Sequence, residues 1–88
     1  MPKVVLIHKV VDIERWLERK DERAAAFADY GTDVRDYVAA DGSDQIAITA
    51  DIHDLDGAQA MLASPPADVA ALMESHGVVP PITLYIER

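Results

Sequence analysis

Residues 62–88, LASPPADVAALMESHGVVPPITLYIER, decide the fold of this chain. Ser64 and Pro65 are typical of a helix start, so the sequence predicts that Ser64 caps the helix that follows. Apolar residues then recur at helical spacing, at Val69, Leu72 and Met73. Gly77 is a typical helix stop, Val78–Pro81 are expected to form a short joint, and Ile82–Glu87 alternate as a terminal strand. This order predicts a helix folded back beside a sheet edge, since prolines at the start of a strand suit an edge position.

The preceding residues predict a strand, a helix and a hairpin. Val4–Val11 are apolar on both alternating faces, which is typical of a central strand that is covered on both sides. Asp12 is expected to cap one helix that continues to Tyr30–Gly31. Thr32–Ala40 and Gln45–His53 flank a turn-rich joint and therefore predict an antiparallel hairpin.

The helix after the first strand is predicted to have one buried stripe and one charged face. The buried stripe consists of Ile13, Trp16, Leu17, Ala24 and Phe27. The charged face carries Glu14, Arg15, Glu18, Arg19, Glu22 and Arg23. We expect that face to be solvated. A second helical region is expected to start at Asp54 or Asp56 and to be interrupted by Pro65–Pro66.

The resulting element order is βαββαβ in a single domain of residues 1–88. Right-handed crossovers give such a chain a ferredoxin-like fold, which is a four-stranded antiparallel sheet of order 4-1-3-2 with both helices on one face. Helices on one face leave the other face of Val4–Val11 uncovered. A second copy of the chain, packed sheet to sheet, is therefore expected.

Composition and charge argue against several kinds of partner. The 88 residues include eight basic and sixteen acidic side chains, and the net charge of −8 repels phosphate backbones and anionic lipid. We therefore expect neither nucleic acid nor a membrane surface as a partner. The sequence contains no cysteine, so a disulfide framework and thiolate metal sites are excluded. The first apolar run is too short for a secretory signal or a membrane span, and we expect a cytoplasmic protein.

Three segments resemble small bacterial members of the dimeric α/β-barrel superfamily. They are HKVVDIERW at residues 8–16, DLD at residues 54–56, and the stretch from Ser64–Pro65 through Gly77–Val78 and Pro80–Pro81 to LYIE at residues 84–87. That superfamily groups antibiotic-biosynthesis monooxygenases, polyketide cyclases, muconolactone isomerases and many uncharacterised proteins. The resemblance implies a sheet-to-sheet homodimer with a small organic ligand between each sheet and its own helices.

Two activities within the superfamily do not transfer to this chain. Haem-degrading members use a histidine in the part that matches Val69–Met73, where this sequence has none. The plant-type olivetolic cyclase has a His-Pro-Ala-His stretch where this chain reads Ser64-Pro65-Pro66-Ala67. Neither a metal nor a cofactor is expected.

His8 and Lys20 are the candidate catalytic residues. His8 lies among the apolar residues of the first strand, and it projects into the ligand pocket if that face meets the helices. An imidazole there could act as a general base, and a core histidine with a backbone partner is the alternative. Lys20 falls within the apolar stripe of its helix, where it could hold an anionic or enolate ligand. Alternatively, its amine reaches the solvent while its methylenes cover Trp16.

Four further side chains are candidate binding residues, namely Trp16, Tyr37, Met73 and Tyr85. Trp16 and Met73 belong to helical apolar stripes. Tyr37 and Tyr85 share a polar sheet face, where hydrogen bonding across an interface is the alternative. His53 is expected at the surface or the dimer interface, and His76 is expected to cap the C-terminus of a helix.

These residues support two functional hypotheses. The first is a homodimeric, cofactor-independent enzyme that performs proton-transfer chemistry on a small aromatic or polyketide-like compound, as a cyclase, an isomerase or a monooxygenase. The second is a non-catalytic binding or structural dimer. A pocket lined by His8 and Lys20 favours the first, and a pocket filled by Trp16, Phe27 and Met73 favours the second.

Overall fold

Four strands and four helices make up residues 2–88, the part of the chain that the computed structural model describes. They are β1 (Lys3–Val10), α1 (Ile13–Leu17), α2 (Lys20–Phe27), β2 (Gly31–Val38), β3 (Gln45–Ile52), α3 (Leu55–Ala63), α4 (Ala67–Ser75) and β4 (Val78–Ile86). The sheet has the order β2-β3-β1-β4, and every neighbouring pair is antiparallel. The predicted order 4-1-3-2 describes the same sheet from its other edge, so the ferredoxin-like arrangement and the hairpin are confirmed.

The first predicted helix consists of two helices. Asp12 caps α1 as predicted, since its Oδ1 accepts hydrogen bonds from the backbone N–H groups of Glu14 and Arg15 at 3.0 and 3.4 Å. However, α1 ends at Leu17 and α2 begins at Lys20, so a turn separates them.

That turn changes which side of α2 faces the sheet. Arg23 is only 5% exposed, whereas Ala24 lies at the surface. The predicted buried position of Ala24 and solvated position of Arg23 are therefore wrong. The prediction assumed one uninterrupted helix at 100° per residue, and a turn between two helices breaks that phase relation. Trp16 is fully buried and Phe27 is half-buried, as the stripe predicted.

The second helical region is interrupted at the two prolines, as predicted, but Ser64 does not begin α4. The Ser64 backbone N–H donates to the carbonyl of Ala60, so this residue ends α3. The residue before a proline is disfavoured in helical geometry, and here two prolines follow each other. Asp54 is the start of α3, because its Oδ1 accepts a hydrogen bond from the Gly57 backbone N–H at 3.0 Å.

Strand β4 is longer than the sequence indicated. It starts at Val78, so Val78–Pro81 belong to the strand and do not form a separate joint. The strand lies at the edge of the sheet, where prolines that lack an N–H do not interrupt a ladder on the open side. Its register with β1 shifts between Ile7 and Lys9, which leaves an irregularity opposite His8.

Two glycines are required by the backbone. Gly77 ends α4 with a φ of 73°, as predicted for a helix stop. Gly31 is the first residue of β2, where a Cβ atom would lie 2.3 Å from the carbonyl oxygen of Asp51. Any side chain at position 31 would therefore displace β2 from β3.

The core lies between the sheet and the helices. On β1 the buried residues facing the helices are Val4, Leu6, His8 and Val10. Val5 and Ile7 point to the other face and are half-buried. Val11 lies beyond β1 and is 70% exposed, so its predicted place on the strand is wrong. The sheet thus has one covered face and one open face.

Candidate functional site

A cavity of about 80 Å³ lies between the covered face of the sheet and the helices. Its wall is mostly apolar and includes Leu6, Phe27, Ile48, Met61, Leu72 and Met73. Its polar side chains are His8, Arg23, Tyr30 and His76. Because each enclosed water needs only about 10–15 Å³ on this measure, the cavity has room for several waters or for a small ring.

His8 is held in the neutral form with one nitrogen available. The residue is 6% exposed, and its Nδ1 lies 2.8 Å from the carbonyl oxygen of Lys9. A carbonyl can only accept, so Nδ1 carries the hydrogen and Nε2 keeps a lone pair. Burial lowers the pKa of His8 and the nearby Arg23 lowers it further, while the hydrogen bond to Lys9 opposes the shift. The imidazole is therefore a neutral base at neutral pH.

Arg23 supplies a buried positive charge. Its Nε donates to Oδ1 of Asp36 at 3.1 Å, and its Nη2 lies 3.1 Å from the same oxygen. The guanidinium stacks 3.8 Å above the ring of Trp16, and Nη1 donates to the Trp16 carbonyl. Buried charges are costly unless they are paired and hydrogen-bonded, and Asp36 supplies the pairing here.

One part of Arg23 is not satisfied. Its Nη2 is close to Asp36 but lacks hydrogen-bond geometry, and within residues 2–88 it has no hydrogen-bond partner. Burial lowers the pKa of Arg23 and Asp36 opposes this shift, but an arginine side chain stays charged in proteins. The site therefore retains a cation with unused hydrogen-bonding capacity.

His76 joins the end of α4 to the turn between α1 and α2. It is 1% exposed, and it is the C-cap residue of α4, as predicted. Its Nδ1 lies 2.7 Å from the carbonyl oxygen of Leu72, and its Nε2 lies 3.1 Å from that of Arg19. Oε2 of Glu22 is 3.8 Å from Nε2.

The two predicted catalytic residues do not meet. His8 lines the cavity, but Lys20 is exposed at the start of α2 and is not part of the cavity wall. The predicted place of Lys20 in the apolar stripe is wrong, for the same reason as that of Ala24. The turn before α2 brings Arg23 inwards instead.

The predicted binding residues are divided among three places. Met73 lines the cavity. Trp16 is fully buried beneath Arg23 and is not part of the cavity wall. Tyr37 and Tyr85 are 47% and 57% exposed, and the pairing registers put them on the open face of the sheet. His53 is exposed, which agrees with its predicted surface position.

Sequence reasoning missed Arg23 and treated His76 only as a cap. One signal for Arg23 was present, because Asp36 lies on β2 between Val34 and Val38, which share its alternation. An acid in such a series calls for a buried cation. No comparable signal exists for His76, since its partners Leu72 and Arg19 contribute backbone carbonyls, which no residue type reveals.

Two further kinds of site are absent from residues 2–88. No three His, Asp or Glu side chains of residues 2–88 are grouped closely enough to hold a metal ion. No helix in this part of the chain is sufficiently long and apolar to cross a membrane.

The fold is shared with solved structures. An antibiotic biosynthesis monooxygenase superposes with a TM-score of 0.64 over 100% of this chain and 97% of its own, at 11% sequence identity. A candidate antibiotic biosynthesis monooxygenase from Deinococcus radiodurans gives 0.57 over 97% and 90%, at 16% identity. No family model and no curated protein matches the sequence. The chain therefore shares the ferredoxin-like fold of these structures.

Proposed function

We propose that this chain forms a homodimer that binds a small aromatic or polyketide-like compound in its cavity and performs proton-transfer chemistry without a cofactor. The observation that carries the proposal is the neutral, buried His8 with a free Nε2, beside the cation of Arg23 in an apolar cavity. A general base needs a lone pair within reach of the substrate, and a developing negative charge needs a fixed cation.

The chemistry assigns one role to each of the two side chains. His8 Nε2 removes a proton from a carbon next to a carbonyl group, and the electron pair of the C–H bond moves onto the carbonyl oxygen. Arg23 stabilises the resulting enolate, which is the role that the sequence had suggested for Lys20. The apolar wall lowers the local dielectric constant and so strengthens both interactions.

The reaction class follows from what the enolate carbon does next. It can attack a second carbonyl of the same molecule, be protonated at another carbon, or react with dioxygen, which correspond to cyclisation, isomerisation and oxygenation. The names of the two superposed structures support oxygenation, but a shared fold at 11% and 16% identity is support by analogy alone.

The dimer is part of this proposal because one sheet face remains open. Val5 and Ile7 at its centre are half-buried, and Tyr37 and Tyr85 at its sides are exposed. A second sheet placed on this face would cover these side chains. Light scattering at micromolar concentration should give about twice the chain mass of 9.6 kDa. A monomeric mass would overturn the two-sheet arrangement.

Deuterium exchange into acetophenone tests the proton transfer. The parent protein should accelerate exchange of the methyl protons above the rate in buffer, as followed by proton NMR. His8→Gln should remove the acceleration, while Lys20→Met, which alters a charge outside the cavity, should keep it. If the parent gives no acceleration, the proton-transfer proposal fails and the non-catalytic binding or structural dimer replaces it.

A further inference from the structure

We propose that the cavity selects a small organic monoanion, a carboxylate or a phenolate on an apolar body, whose oxygen binds to the guanidinium of Arg23. This inference rests on the proposed small-molecule site and names the class of compound that the site takes.

The wall is depleted of acids in an acidic protein. The chain contains sixteen Asp and Glu residues against eight Lys and Arg, yet no acidic side chain lines the cavity. The ionisable side chains that do line it are His8, Arg23, Tyr30 and His76. An anion that enters therefore meets no carboxylate in the wall.

The buried ion pair of this region turns its cationic partner to the cavity. Arg23 lines the wall while its partner Asp36 does not. In a medium of low dielectric constant, such an oriented pair creates a positive potential on the side of the cation. The unpartnered Nη2 of Arg23 adds a donor that an anionic oxygen can satisfy.

Benzoate and benzamide form a matched pair of probes, because they have the same size and differ in charge. Binding to the parent protein is measured by calorimetry at pH 7. We expect benzoate to bind at least tenfold more tightly than benzamide. Equal affinity for the two probes would overturn the anion preference and leave the small-molecule site intact, whereas binding of neither would overturn both.

Variants then locate the preference. Arg23→Met together with Asp36→Leu removes the whole buried pair and leaves no unpaired charge, so the variant keeps an apolar core. It should lose the preference for benzoate over benzamide. Lys20→Met is the control, since it removes a positive charge from α2 outside the cavity. If it weakens benzoate binding as much as the double variant, the preference is a long-range effect and the assignment to Arg23 is wrong.

Discussion

Arg19, in the turn before α2, and Arg23, within α2, each pair with a carboxylate. The pair of Arg19 is exposed, whereas the pair of Arg23 is buried. Arg23 and Asp36 are 3.1 Å apart with side chains 6% and 7% exposed, whereas Arg19 and Glu22 are 3.4 Å apart with side chains 39% and 50% exposed. Water weakens the attraction between Arg19 and Glu22, whereas Arg23 and Asp36 are largely shielded from water. Two arginines four positions apart thus form one buried ion pair whose cation lines the cavity and one exposed contact that contributes little to stability.

The largest effect is expected from breaking the buried pair. Asp36→Ala leaves the Arg23 cation buried without its counterion, and we expect a loss of about 3–5 kcal/mol in the free energy of unfolding, measured by urea denaturation. Arg23→Met combined with Asp36→Leu should recover most of this loss, because an apolar pair avoids the desolvation of two charges. A loss below about 1 kcal/mol for Asp36→Ala would mean that water reaches Arg23.

His8 extends the comparison of buried and exposed charges, because burial keeps this base neutral. Burial holds its pKa below 6.5, so between that lowered value and 6.5 the unfolded chain binds a proton that the folded chain does not. Stability contributed by the neutral imidazole is complete above pH 6.5 and decreases as the pH falls below it. The slope from this one group is at most about 1.4 kcal/mol per pH unit.

His8→Gln provides the matched measurement. The free energy of unfolding of the parent should fall more steeply between pH 6.5 and pH 5 than that of the variant, since glutamine does not titrate. Parallel curves would contradict the buried, neutral state of His8.

The smallest effect is expected at the exposed pair. Arg19→Ala removes the contact with Glu22 but keeps the backbone carbonyl that His76 uses, so the loss of stability should be about 0.5 kcal/mol or less. Urea denaturation at low and high salt measures it, and what loss there is should shrink as salt increases. A loss comparable with that of Asp36→Ala would remove the distinction between the two pairs.

The covered face of the sheet was predictable to a larger extent than the site within it. Alternation along β1 indicated correctly that His8 shares a face with buried apolar residues, because a strand repeats every two residues regardless of its neighbours. The phase of α2 was not predictable in this way. It depends on the turn after Leu17, and the residues on both sides of that turn have good helix propensities.

The sequence by itself determined the element order, the sheet topology and the cap at Asp12, since these depend on local periodicity and on the few turns that connect such elements. Tertiary structure alone decided which cationic side chain lines the cavity. Arg23 takes the inward position because Asp36 on β2 lies across from it, and His76 gains its partners because α4 ends beside the carbonyl of Arg19. Both outcomes depend on groups that lie far apart in the sequence, and the free energy of burying a charge is known only once those groups have come together.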